Sequence, residues 1–241
     1  MTGRGCVCTG VAESAEHQLG RADPPFSVPA LAAARLPGRA AVHDAGMSGE
    51  TSGLGLFVIL IGPSGAGKST LLKAYLAADP SAVRVLSCTT RPPRPGEHDG
   101  VDYHFLSDAE FSRRRTAGAF LEQAQVFGRH AYATPREDVL AVVRSNRIAV
   151  KDVDVQGASQ IRKAMPEAVQ VFVAPSTVTE IERRLRDRAT EGEDAIRRRL
   201  AEAERELPYA ERCDHRIAND DLGVAVAELS AVIAEERRRR A

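Results

Sequence analysis

The chain has 241 residues, 43% of them hydrophobic and 27% charged, with 33 Lys and Arg balancing 33 Asp and Glu, so it has room for one good-sized domain or one with inserted lobes. A net charge of zero gives no overall field that draws the chain to nucleic acid or a membrane surface, and no apolar run approaches the roughly 20 residues that cross a bilayer. The N-terminus lacks the basic-then-apolar layout of a secretory signal, and Cys6, Cys8, Cys88 and Cys213 form neither a disulfide framework nor a zinc spacing, so a cytoplasmic protein is the expectation.

Residues 1–52 scatter Gly, Ala, Pro and Ser without a sustained apolar period and read as a poorly ordered extension. The run from Pro29 to Arg39 can form a short helix with little to bury, and Met47 is an alternative start. From there strand and helix alternate. Leu54 to Ile61 is a nearly unbroken apolar run, as in a strand buried on both faces. Gly67 to Ala78 places Leu71, Leu72, Tyr75 and Leu76 on one helical stripe. Val83 to Ser87 reads as a second strand, Ile148 to Val153 as a third, and Gln156 to Ala164 as a helix. Ala168 to Val173 is strand again; Thr177 and Glu180 then make a capping box for an arginine-rich helix, followed by another to about Leu207. A short strand near His215 to Ala218 precedes a last helix with Leu222, Val226, Leu229 and Ile233 on one face. The terminal arginines suit that helix's C-terminus better than a nucleic acid. This alternation predicts an α/β fold, a parallel sheet covered by helices.

The stretch from about 86 to 136 breaks the rhythm and reads as an inserted lobe. It holds TTRPPRPGEHDGVDYHF, a short helix capped by Ser107 and Glu110, a strand-like Ala119 to Val126 and a Tyr-containing turn. Thr134, Pro135 and Glu137 then offer a cap, a first helical residue and a box partner. Residues 53–85 and 137–241 form the core on this reading, with a lid at about 183–205.

GPSGAGKST carries the clearest chemistry. Gly62, Pro63, Ser64, Gly65, Ala66, Gly67, Lys68 and Ser69 match the phosphate-loop pattern between an apolar strand and an amphipathic helix, and Thr70 follows in the helix. The glycines let backbone N–H groups face a phosphate, the helix N-terminus adds positive potential, Lys68 reaches the β- and γ-phosphates and Ser69 can ligate Mg²⁺. KDVDVQGA supplies Asp152 and Asp154 on the same side of a neighbouring strand. One can serve Mg²⁺ while the other faces a substrate, or both can cap the helix that follows.

GPSGAGKST, SCTTRPPRPGEHDGVDYHF, FLEQAQVFG, KDVDVQGA and the late NDDL, in that order over about 55–222, resemble the guanylate kinase family. The resemblance implies a P-loop NTPase core with an inserted GMP-binding lobe and a small helical lid. It also implies the reaction ATP + GMP ⇌ ADP + GDP with Mg²⁺, with Ser69 and Asp152 on the metal. It assigns the GMP phosphate to Arg91, Arg94 and Tyr103, with Tyr132 and Thr134 assisting, and the donor edge of guanine to the acceptors Ser87, Glu122 and Asp154. Glu97 braces the arginines or faces the nucleotide. Arg184, Arg188 and Arg199 become lid arginines, and Asn219 contacts adenine. Lys68, Arg91, Arg188 and Arg199 carry the transfer. Guanidinium groups with a tyrosine hydroxyl suit a phosphate dianion.

The chain departs from the family pattern in three places. Residues Arg129 to Thr134 are one longer than the usual segment and lack its glycine, Gln123 replaces an aromatic residue, and Lys151 replaces an apolar one. Two other readings remain: a kinase of a different small phosphorylated acceptor such as a ribose phosphate, and a non-catalytic module that binds phosphorylated partners. The guanine-reading acceptors weigh against the first, the intact Lys68 and Ser69 against the second. Oligomeric state is not legible.

Overall fold

In the computed structural model, residues 55–126, 129–187 and 192–241 are described. The expected tail, with Met47 and the 29–39 helix, lies outside them, as does Arg188.

LFVILI forms β1 (Leu56–Ile61), with all six residues buried. Successive side chains point to opposite faces. Phe57, Ile59 and Ile61 enter one apolar layer, and Leu56, Val58 and Leu60 enter the other. Helix α1 (Lys68–Ala78) covers the second layer with Leu71, Leu72 and Tyr75, and Leu76 packs against its rim. β2 (Ala82–Arg84) is shorter than expected and begins earlier. It pairs with residues 148–150, after which the chain turns away: the Ser87 carbonyl accepts from the His104 N–H, so Ser87 already leads into a second sheet.

That sheet comes from β3 (Cys88–Thr89), β4 (His104–Phe105), β5 (Phe120–Val126) and β6 (His130–Pro135), in the order β4-β3-β6-β5. Between β4 and β5 lies α2 (Asp108–Thr116), whose N–H at Glu110 donates to the Ser107 hydroxyl as the capping pattern requires. The expected Tyr-containing turn is instead the strand β6: Tyr132 pairs with Ala124 on β5 and with Thr89 on β3. Thr134 does not cap the next helix either. Its hydroxyl donates to Glu122 across the hairpin, leaving Pro135 to start α3 (Arg136–Arg144) with no side-chain cap.

β7 (Ile148–Asp152) returns the chain to the first sheet. α4 (Val155–Ala164) follows, with Asp154 as its N-cap, then β8 (Val169–Ala174). α5 (Val178–Asp187) starts at Thr177, whose hydroxyl accepts from the Glu180 N–H. α6 (Glu193–Glu206) packs Ile196 and Ala203 against Ile181 and Leu185 of α5 in a small separate cluster. A 3-10 turn (Leu207–Arg212), β9 (His215–Ala218) and α7 (Leu222–Arg240) complete the chain. The first sheet has the order β2-β7-β1-β8-β9 and every pair in it is parallel. On α7 the buried residues include Ala225, Leu229 and Ile233, whereas Leu222 is exposed because it belongs to the helix's first turn, beyond the sheet. Arg239 and Arg240 pair with glutamates of their own last turns.

One side-chain amide helps tie the second sheet to α4. Gln160 on α4 accepts from the Gln123 N–H at 3.1 Å and donates to the Gln123 carbonyl at 3.0 Å. Among the described residues no helix is long and apolar enough to cross a membrane.

Candidate active site

The phosphate loop joins the end of β1 to α1. Gly62 has φ 150°, and a Cβ there would sit 2.0 Å from the Val173 carbonyl oxygen, so only glycine lets the loop lie this close to β8. Gly67 caps α1 in the left-handed region at φ 83°. The Lys68 ammonium donates to the Gly62 carbonyl, and to that of Pro63 at 3.0 Å, which folds it over the loop. The Ser69 hydroxyl donates to Asp152 Oδ2 at 2.9 Å, joining the first turn of α1 to the end of β7. A hydroxyl beside a carboxylate, both at the phosphate loop, is a hard oxygen pair that fits Mg²⁺. Among the described residues no cluster of three or more His, Cys, Asp and Glu side chains can hold a metal.

Asn219, expected against adenine, stands at the end of β9 beside the phosphate loop. It is 4% exposed, and its Nδ2 donates to the Ala66 carbonyl at 2.8 Å. Ala66 is fully buried, so that carbonyl needs a partner, and the amide at the end of β9 supplies it. The Asn219 carbonyl accepts from Arg184 at 2.9 Å, and Arg184 also donates to Glu180 at 2.7 Å. The two arginines Arg183 and Arg184 hold the Glu180 carboxyl down at about 2. A cleft of about 300 Å³ opens here, lined by Gly65, Gly67, Thr70, Arg184, Asn219 and Leu222 among others.

Of the other lid arginines, Arg199 is half-buried on α6, whereas Arg183, Arg186 and Arg197 are surface groups paired with nearby carboxylates. Sequence reasoning passed over Glu206. It stands seven residues after Arg199, two helical turns along the same face of α6. Burial pushes its carboxyl up to about 7, opposed by Lys68 and reinforced by Glu202 and Asp154. The spacing from Arg199 was the available signal.

The proline-rich stretch between β3 and β4 builds a second cluster of expected site residues. Arg91 donates through Nε to the Tyr132 hydroxyl at 3.2 Å and through Nη2 to Glu97 at 2.9 Å. Its guanidinium lies 5.4 Å from the centre of the Tyr103 ring and 5.8 Å from that of Phe105. Tyr103 and Tyr132 meet edge to face with ring centres 6.0 Å apart. Glu97 also accepts from the Arg94 backbone N–H at 2.8 Å, so it braces both arginine positions. The Arg94 side chain is exposed. Thr89, missed in the sequence, holds the loop's origin by accepting from the Arg91 N–H at 3.1 Å. Arg91, Glu97, Tyr103 and Tyr132 therefore converge.

A second polar group lies where the two sheets meet. Glu122 is 9% exposed and accepts from the Thr134 hydroxyl at 2.6 Å. Burial raises its pKa, and the Thr134 hydrogen bond and the charge of Lys151 counter that rise. Asp154 caps α4 by accepting from the Gly157 N–H at 2.6 Å. A Cβ on Gly157 would lie 3.3 Å from Asp154 Oδ1 and 3.4 Å from Glu122 Oε2, so both carboxylates flank that glycine. Ser87 accepts at Oγ from Lys151 at 2.7 Å.

The family model described as guanylate kinase matches residues 55–236. A guanylate kinase of Synechococcus elongatus is 46% identical over 180 residues, 75% of this chain and 98% of that one. The Symbiobacterium thermophilum guanylate kinase is 45% identical over 185 residues, 77% of this chain and 87% of its own. Among solved structures, the guanylate kinase of Anaplasma phagocytophilum superposes with a TM-score of 0.57 at 30% identity, covering 76% of this chain and 86% of that chain. Phosphate loop, arginine-tyrosine cluster and sequence likeness agree: the chain belongs to the guanylate kinase family.

Proposed function

We propose that the protein transfers the γ-phosphoryl group of ATP to GMP, giving ADP and GDP, with Mg²⁺. The convergence of Arg91, Glu97, Tyr103 and Tyr132, in a chain that also carries an intact phosphate loop, supports this reading. A phosphate monoester has its second pKa near 6, so the attacking oxygen of GMP is already ionised at neutral pH and no side chain has to take a proton from it. The chain's contribution is alignment and charge. Residues 62–70 hold the ATP phosphates, and Lys68 swings from its loop carbonyls to the β- and γ-oxygens. Ser69 and Asp152 would hold Mg²⁺, which when bound would supply positive charge against the ATP phosphates. Arg91, Arg94, Tyr103 and Tyr132 hold the acceptor phosphate, and Thr134 sets the Glu122 carboxylate against the base with Asp154 beside it. Arg188 and Arg199 close with the lid on the transferring group, and closure excludes the water that would otherwise hydrolyse ATP. In this division residues 53–85 and 137–241 are the core, 86–136 the acceptor lobe and about 183–205 the lid.

The buried Glu122 argues against a ribose phosphate as acceptor, since a sugar offers no planar donor edge to it. The Ser69–Asp152 pair argues against a non-catalytic module. Measuring ADP formed from ATP and Mg²⁺ with GMP, AMP, dGMP or ribose 5-phosphate as acceptor separates the three. GMP-dependent turnover is expected, and its absence overturns the proposal.

A further inference from the structure

β7 reads IAVKD, and its lysine is as inaccessible as its apolar neighbours: Lys151 is 5% exposed. A buried ammonium is costly unless its hydrogens are taken up. Here one goes to the Val85 carbonyl at 3.2 Å and another to Ser87 Oγ at 2.7 Å. The charged and titratable groups that act on it are Glu122 from β5, Asp152 from its own strand, Arg84 from β2 and Cys88 from β3. None of the phosphate-transfer steps uses this lysine.

Its consequence falls on Ser87. A serine hydroxyl accepts through its oxygen lone pairs and donates its single hydrogen. An ammonium on the oxygen takes up one of its two lone pairs and polarises the O–H bond, so the hydroxyl is weakened as an acceptor and strengthened as a donor. Ser87 is thereby better suited to donate to guanine than, as the resemblance implied, to accept from it. The register then matters. Cys88 pairs with Ala133, so the next step places Ser87 beside Thr134, and Thr134 pairs with Glu122. The Thr134 hydroxyl is spent on Glu122. The row thus presents a donor at Ser87 and a carboxylate acceptor at Glu122. A 6-oxo purine shows the complement, a carbonyl at position 6 beside the N1–H and 2-amino donors. A 6-amino purine shows a donor at position 6 and an acceptor at N1, which mismatches both.

We infer that Lys151 is a positioning residue for acceptor recognition: by donating to Ser87 it fixes the Ser87 hydroxyl as a donor, which with Glu122 selects a 6-oxo over a 6-amino purine nucleotide. The inference rests on GMP being the acceptor, as proposed above. Lys151 acts through Ser87, and the base does not touch it.

The test uses the full chain, Lys151→Met, Ser87→Ala and the double variant. GMP is the substrate, and 2,6-diaminopurine riboside 5′-monophosphate, which differs from GMP at position 6 and N1, is the competing inhibitor. For Lys151→Met the KM for GMP should rise about tenfold, the value of one charged hydrogen bond, while kcat and the KM for ATP stay within about twofold. The preference for GMP over the diamino analogue should fall by a similar factor. Ser87→Ala, which leaves the lysine in place, should lose the same preference, and the double variant should be no less selective than Ser87→Ala alone. An unchanged preference in Lys151→Met, additive losses in the double variant, or an equal rise in the KM for ATP overturns the inference. Wild-type protein that fails to phosphorylate GMP overturns the functional reading and the inference with it. Wild-type turnover with unaltered variants overturns the inference alone.

Discussion

The Ser69 hydroxyl donates to Asp152 across 2.9 Å, so the first turn of α1 and the end of β7 meet at one point beside the phosphate loop. Two residues 83 positions apart thereby form the oxygen pair proposed above to hold Mg²⁺. Asp152→Asn keeps the shape and removes the charge. It should raise the Mg²⁺ concentration for half-maximal activity about 10- to 100-fold. A Mg²⁺ titration of the initial rate at saturating ATP and GMP measures this, and an unshifted midpoint would place the metal elsewhere.

Glu122 offers a different separation of the two substrates. Glu122→Gln replaces a buried carboxylate acceptor by an amide of the same size. Losing a hydrogen bond to a charged group corresponds to an increase in the KM for GMP of about 10- to 100-fold, with the KM for ATP within about twofold. Equal rises in both would mean that Glu122 serves the whole cleft and not the acceptor base.

Arg91 makes separate contacts to Glu97, Tyr132 and the Pro92 carbonyl while lying over two aromatic rings. A lysine at this position is a point charge without the fork that makes those contacts together. Arg91→Lys is expected to lower kcat/KM for GMP by on the order of 10²-fold, and Tyr132→Phe by less. Steady-state kinetics at saturating ATP distinguish the two.

Glu206 gives a pH signature. Its carboxyl stands at about 7 in the folded protein against 4.5 as an ordinary glutamate. A group whose pKa is raised on folding contributes stability that is complete below its unfolded value and lost as pH climbs through its folded value. Glu206 therefore favours the fold below pH 4.5, and that contribution disappears as pH rises through about 7. Glu206→Gln, uncharged throughout, should gain in melting temperature relative to the parent between about pH 5 and pH 8. Parallel melting curves for the two proteins would count against it.

Gly67 couples the phosphate loop to β9. A Cβ there would come 2.5 Å from Asn219 Nδ2, and the backbone is left-handed. Gly67→Ala should cost about 1–3 kcal/mol in unfolding free energy. Part of that cost should vanish when Asn219→Ala is added, because the obstructing amide is gone; chemical denaturation of both variants reads the difference.

How much was legible in the sequence follows the range of each interaction. β1 and the phosphate loop were readable because an apolar run, a glycine pattern and a helical stripe follow one another within about two dozen residues. The caps at Ser107 and Thr177 were readable for the same reason, each spanning three positions. Thr134 was misread because its composition suits a cap and its actual partner lies on the facing strand, twelve residues back. Tyr132 was misread as a turn residue because HAYATP becomes a strand only through its pairing with β5 and β3. Asn219 holds a carbonyl 153 positions away, a relation that no local pattern announces. Lys151 was visible as an anomaly, a charge in an apolar strand, while the hydroxyl it acts on was not.

The paired bonds between Gln160 and the backbone of Gln123 have one more consequence. β5 is the outermost strand of its sheet, and an outermost strand offers unpaired N–H and C=O groups to any extended chain that drifts by. A glutamine amide carries the same donor and acceptor as a peptide group, so Gln160 occupies that template in the manner of a strand one residue long. At Gln123 the edge is thereby closed to an added strand, with a side chain borrowed from a helix of the neighbouring layer.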